Sequence, residues 1–237
     1  KTEADIQAFF ASHGMNIGSI KTQKDKKGNL IFTFPQQENF TLQESEVKAG
    51  TRSPGAPFTT STLQQEASRK LGYGVKMTMD IAQRLYQNGH ITYMRTDSVN
   101  LSDLAIGAAR DFITKEFGPE YAMPHGRKYK TKQASAQEAH EAIRPTYMEK
   151  TPESIGLEPQ EAKLYRLIWE RTVASQMQEA QVETTTYHFS PVSSQGEDWI
   201  VKGEVIKFPG FMKLYIEGTD DENDEESDSK KLPLVKK

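Results

Sequence analysis

The chain has 237 residues, 30 Lys+Arg against 33 Asp+Glu, a formal net charge of −3 and no cysteine. That length suits one large domain or two ordinary ones, and the lack of cysteine excludes disulfides, thiol catalysis and cysteine-ligated zinc. No apolar run approaches the roughly 20 residues a membrane helix needs, and the start at Lys1, without a signal-type leader, reads as an internal piece of a longer protein.

Residues 1–52 are mixed. Asp5 to Ser12 suits a short helix, Lys24 to Asn29 a polar turn, and Leu30 to Phe34 a strand. Two prolines and a glycine within Arg52 to Pro57 mark a boundary. The next zone, 53–177, is helical. Ser61-x-x-Gln64 and Thr62-x-x-Gln65 each fit a capping box opening a helix through Leu71, which Gly72 and Gly74 end. A second helix covers Val75 to Gln87, with Met77, Ile81 and Leu85 in one stripe, and stops at Asn88-Gly89. Tyr93 then falls in extended chain. Ser102 caps a third helix, Asp103 to Phe117, ended by Gly118-Pro119, and His125 to Lys132 reads as a basic, mobile loop. Pro159 opens a last long helix carrying Leu164, Ile168, Trp169 and Val173 to about Met177.

From 178 onward the pattern is strand-like: Val182 to Phe189, Trp199 to Phe208, then Phe211 to Ile216. An acidic loop at about 219–229 follows, with seven acidic residues between Asp220 and Asp228; without them the net charge would be +4. The expected fold class is therefore α+β. A helical, winged-helix-like domain (53–177) is inserted into a β-strand-rich hinge domain made of 1–52 and 178–237.

Two segments carry chemistry. In Tyr93-Met94-Arg95-Thr96-Asp97-Ser98 an extended backbone points Tyr93 and Arg95 the same way. A tyrosine hydroxyl titrates near 10 when free, so attack on phosphorus needs help. The Arg95 guanidinium offers fixed charge and a forked donor for phosphate oxygens. Thr96, Asp97 and Ser98 can hydrogen-bond the backbone of the turn. In the second segment His140 precedes Arg144 by four residues, so a helical turn would place both on one face towards a second phosphate. Equally, Glu141 can pair with Arg144, and spacing alone favours that pairing. No Gly-rich phosphate loop, H-E-x-x-H or paired zinc signature occurs, and the acidic run reads as solvated, so no metal ligands are assigned.

Four segments in order, Pro57 to Ala67, Ala82 to Tyr86, Gly89 to Leu101 and Ser135 to Pro145, closely resemble the type IA DNA topoisomerases, in their bacterial topoisomerase I branch. Met94 fits that branch better than topoisomerase III, which tends to carry proline there. The resemblance implies an enzyme that cuts one DNA strand through a 5′-phosphotyrosine link, passes another strand and reseals, relaxing negative supercoils. Tyr93 matches the nucleophile and Arg95 the arginine that holds the scissile phosphate. His140 matches a phosphate-binding histidine, and Arg144 lies in the same motif. Thr96, Asp97 and Ser98 complete the candidate DNA site. The resemblance also implies Mg2+ in the intact enzyme, bound by an N-terminal acidic domain that this chain lacks, so the chain alone is expected to be inactive. Its partners would be single-stranded DNA, negatively supercoiled duplex and that missing domain, in a monomer on the bacterial nucleoid in the cytoplasm.

Two other readings remain. A DNA-binding winged-helix module with a basic loop at Arg127 to Lys132 would bind without chemistry. A tyrosine recombinase also uses Tyr, Arg and His, but places its nucleophile after them, whereas Tyr93 precedes His140 and Arg144.

Overall fold

A computed structural model describes residues 2–12, 21–24, 30–33, 40–129, 140–192 and 199–216. The acidic run, the polar turn at 25–29 and the segment 130–139 lie outside the described residues. The fold is α+β. In chain order the elements are α1 (Glu3–Ser12), β1 (Lys21–Lys24), β2 (Leu30–Thr33), β3 (Phe40–Arg52), α2 (Thr60–Leu71), α3 (Val75–Gln87), α4 (Asp103–Phe117), α5 (Pro159–Ser175), β4 (Ala180–Pro191) and β5 (Trp199–Phe208). Short 3-10 turns occupy Pro119–Tyr121 and Gly210–Lys213.

The described residues form two compact units, one within 1–49 and 183–205, the other within 50–182 and 206–216. In the first, β1 and β2 pair antiparallel from Lys21 opposite Thr33 to Lys24 opposite Leu30. There the Trp199 ring lies 5.6 Å from Phe40 and 6.3 Å from Phe10. A three-stranded sheet runs in the order β3-β4-β5, and each strand has residues in both units. β3 escapes the sequence reading because its side chains are nearly all exposed, so no apolar period announces it.

The second unit is built around α5, which buries Leu164, Tyr165, Leu167, Ile168, Trp169 and Val173. α2, α3 and α4 pack against it. α3 spans the expected residues, and Ile81 and Leu85 of its stripe are buried, with Met77 half-buried against the same core. α2 starts earlier than the capping boxes at Ser61 and Thr62 suggest. Its N-cap is Thr59, whose hydroxyl accepts from Thr62 N, while Thr62 Oγ1 accepts from Thr59 N at 2.9 Å. The reciprocal pair is two threonines, so the glutamine rule points two or three residues too far along. Gly72, at φ +67°, ends α2 in the left-handed conformation.

Two further expectations change. Residues 125–129 are tied down rather than loose. Arg127 N donates to Gln176 Oε1 at 2.8 Å, its guanidinium meets Glu179, and the Tyr129 hydroxyl lies within 3.1 Å of Pro54 O and Ser175 O. Their side chains are polar, yet their partners come from distant chain, which composition does not reveal. Residues 211–216 form a 3-10 turn and coil instead of a strand. Gly210 sits at φ +50°, and a Cβ there would come within 2.5 Å of Gln178 O and Glu179 O, so the chain must turn sharply.

That turn drops Tyr215 onto α2, where its hydroxyl donates to Glu66 Oε1 at 2.7 Å. Glu66 is almost wholly buried, with Lys70 and Arg69 nearby. Burial and this hydrogen bond push the Tyr215 phenol well up, and burial lowers the Lys70 ammonium despite Glu66. Tyr215→Phe would leave a buried carboxylate short of a donor. A loss of about 1–3 kcal/mol is expected, read as a lower urea midpoint at unchanged m-value; an unshifted midpoint would refute it.

Candidate active site around Tyr93

Burial alternates residue by residue from Tyr93 to Ser98, on chain that bends at Thr92 and Met94. Ile91, Met94, Thr96 and Ser98 are buried, with Met94 1 % and Ser98 1 % exposed, while Tyr93 is 48 % exposed and Arg95 and Asp97 face solvent. The Tyr93 ring leans edge-on against Tyr86 from the last turn of α3, with centroids 5.2 Å apart. Among the described residues neither the Tyr93 hydroxyl nor the Arg95 guanidinium has a hydrogen-bond or ion-pair partner.

The segment belongs to no sheet, so its backbone groups need other partners. On the N-terminal side Thr92 faces residues 142–146. Thr92 N donates to Arg144 O at 2.9 Å, Thr92 Oγ1 donates to Ala142 O at 2.7 Å, and Arg144 N donates back to Thr92 Oγ1 at 2.9 Å. Ile91 bridges Pro145, and Thr146 N reaches His90 O.

On the C-terminal side the partner is Thr60 in the first turn of α2. Its N–H donates to Thr96 O at 2.9 Å. Its hydroxyl donates to Met94 O at 2.8 Å, with Thr96 O 3.1 Å away, and accepts from Thr96 N at 2.9 Å. Thr96 and Ser98 turn their hydroxyls inward to the N–H groups of Ser98 and Asn100. Of the three residues after Arg95, only Asp97 points outward.

Residues 140–145 are extended, not helical. Ile143 bridges Phe58, and Ala142 N donates to Asn100 O. His140 and Arg144 therefore share no helical face. His140 is exposed, whereas Arg144 is half-buried and bound to Glu141 Oε2 at 2.7 Å and to Pro145 O at 2.9 Å. The pairing that spacing favoured is the one present. Glu141 also accepts from Ser102 N at 2.7 Å, so one carboxylate joins this segment to the start of α4.

Three contributors escaped the sequence reading: Thr60, Thr92 and Tyr86. Thr60 sits in a Thr-Thr-Ser-Thr run whose hydroxyls all look like caps, and Tyr86 looks like an ordinary helix-end aromatic. Among the described residues no three His, Asp or Glu side chains come together. No helix among them is long and apolar enough to cross a membrane.

Residues 4–237 match the family model described as DNA topoisomerase. DNA topoisomerase 1 of Streptomyces coelicolor is 50 % identical over 204 residues, covering 84 % of this chain and 21 % of that protein. DNA topoisomerase 1 of Zymomonas mobilis is 45 % identical over 246 residues, covering 99 % of this chain and 20 % of that protein. The solved full-length topoisomerase I from Thermotoga maritima is 36 % identical with a TM-score of 0.63, covering 86 % of this chain and 36 % of that one. The chain thus spans about a fifth of the length of the curated relatives it matches.

Burial alone would raise the Glu141 carboxyl, but hydrogen bonds from Arg144 and Ser102 outweigh it and hold the group below the usual carboxylate range. A depressed carboxyl stabilises the fold above its unfolded pKa and loses that contribution as pH falls through its folded value. Glu141→Gln is therefore expected to cost about 1 kcal/mol at pH 7, after discounting a charged hydrogen bond for partial exposure. Denaturant titrations of the two proteins should converge as pH drops below about 4; a gap that persists in acid would exclude the ionic contribution.

Proposed function

The chain belongs to the DNA topoisomerase family, in its bacterial type IA branch, and from that membership we propose that it carries the nucleophile half of a strand-cleaving active site. The observation that carries the reading is the exposure of Tyr93 and Arg95 on backbone held on both sides by Thr92 and Thr60, with no hydrogen-bond or ion-pair partner on either side chain among the described residues.

In this reading the Tyr93 oxygen attacks a backbone phosphorus of single-stranded DNA. The Oη–P bond forms as the phenol gives up its proton, the P–O3′ bond breaks, and the released 3′ oxygen takes up a proton in exchange, leaving the 5′ phosphate on Tyr93. Resealing is the reverse: the 3′ hydroxyl attacks phosphorus and the tyrosine leaves, so the ester conserves the bond energy and no external energy source is needed. Arg95 meets the charge on the phosphate oxygens, where a forked cation acts most strongly. His140, exposed beside this segment, holds a neighbouring phosphate. Arg144 acts differently from a free phosphate clamp: bound to Glu141, it fixes the backbone facing Thr92. Thr96 and Ser98 likewise hold backbone, and Asp97 alone of that trio is placed to face DNA or a neighbouring domain.

The finer architecture belongs to the same proposal. Residues 53–177 act as a winged-helix-like head and 1–52 with 178–237 as its β hinge, so that moving the head opens the cut strand. Magnesium, when bound, supplies charge stabilisation for the phosphate; we place it on an acidic domain within the length of the relatives that this chain does not span. The whole protein would relax negatively supercoiled DNA as a monomer on the bacterial nucleoid.

A module that binds DNA without chemistry is the rival reading, and covalent capture separates the two. The full-length protein, incubated with a single-stranded oligonucleotide and magnesium, then denatured, should carry a DNA adduct that Tyr93→Phe abolishes. Arg95→Ala should lower its yield by about 100-fold, the scale of losing one preorganised charge donor. The chain alone should not relax plasmid. An adduct that survives Tyr93→Phe would sink the assignment.

A further inference from the structure

The Thr60 hydroxyl does more than a helix-opening threonine requires. The N-cap of α2 is already complete without it, since Thr59 and Thr62 cap each other reciprocally. The first-turn N–H groups of a helix have no acceptor within the helix, and here the Thr60 N–H is spent on Thr96 O, outside α2. The same residue's hydroxyl donates to Met94 O and accepts from Thr96 N. These are the two peptide units on either side of Arg95. One side chain thus fixes the carbonyl before Arg95 and the N–H after it, and with them the direction in which Arg95 leaves the backbone. Thr92 performs the matching task before Tyr93, donating to Ala142 O and accepting from Arg144 N. Tyr93 and Arg95 are therefore suspended between two hydroxyls, each donor and acceptor at once.

We propose that Thr60 is a positioning residue for the cleavage step, holding the Tyr93–Arg95 backbone in the orientation from which both side chains reach one phosphate. This rests on the topoisomerase reading above. Thr60 does not touch DNA; it acts through the peptide units that flank Arg95. Valine has nearly the shape of threonine but neither donates nor accepts, so Thr60→Val releases Met94 O and Thr96 N while leaving the Thr59–Thr62 cap. Small misplacements of reacting groups cost large factors in rate, whereas phosphate attraction on an open surface tolerates them.

The test uses the full-length protein and a single-stranded oligonucleotide. Binding is measured in a Tyr93→Phe background, and the single-turnover rate of adduct formation with Tyr93 present. For Thr60→Val the adduct rate should fall by about tenfold or more at an unchanged binding constant, and Thr60→Ser, which keeps the hydroxyl, should recover most of it. A wild-type rate in Thr60→Val would overturn the proposal. So would equal losses in the Val and Ser variants, or a loss of binding as large as the loss of rate. Should the valine variant not fold, Thr60→Ala lacks the same hydroxyl and is read in the same way. If the protein with Thr60 intact forms no adduct on Tyr93, the topoisomerase reading fails; if it does and Thr60→Val matches it, only the positioning role fails.

Discussion

The candidate site depends on how an extended segment outside any sheet satisfies its backbone. Buried peptide groups without partners are costly, and residues 91–98 have no neighbouring strand for a continuous ladder. An isolated bridge from Ile91 to Pro145 and the hydroxyls of Thr60 and Thr92 take the place of one. Because these partners lie on α2 and on residues 142–146, the segment's position is set by elements that the core already fixes: Leu63 of α2, Ile143 and Met94 are all essentially inaccessible.

This support makes the alternation useful. Met94 is sealed into the core while Tyr93 and Arg95 stay open, so the segment is anchored by one side chain and exposes its neighbours. Acyl- and phosphoryl-transfer sites work when their groups are preorganised before the substrate arrives, and buried neighbours at every second position provide that. Glu141 extends the same logic to the start of α4: one carboxylate, bonded to Arg144 and Ser102, adds to the Ala142–Asn100 backbone bond in linking two chain segments. Tyr86 adds a ring wall to one side of Tyr93.

The family places this unit in a larger molecule, since the chain spans about a fifth of its curated relatives.

Much of the helical unit was legible in the sequence. α3 falls on the predicted residues because Ile81 and Leu85 keep helical period and Asn88-Gly89 ends it, and α4 follows its Ser102 cap. These are local effects, decided by residues within a turn of one another. Tertiary structure decided the rest. β3 has no apolar face to read, residues 211–216 turn because Gly210 meets the carbonyls of 178 and 179, and residues 140–145 are extended because Phe58, Thr92 and Asn100 supply their hydrogen bonds. Whether Thr60 caps its own helix or holds the backbone around Arg95 depends on where residues 94 and 96 arrive, thirty-four and thirty-six positions later. A threonine hydroxyl serves either use equally well, and only the fold selects between them.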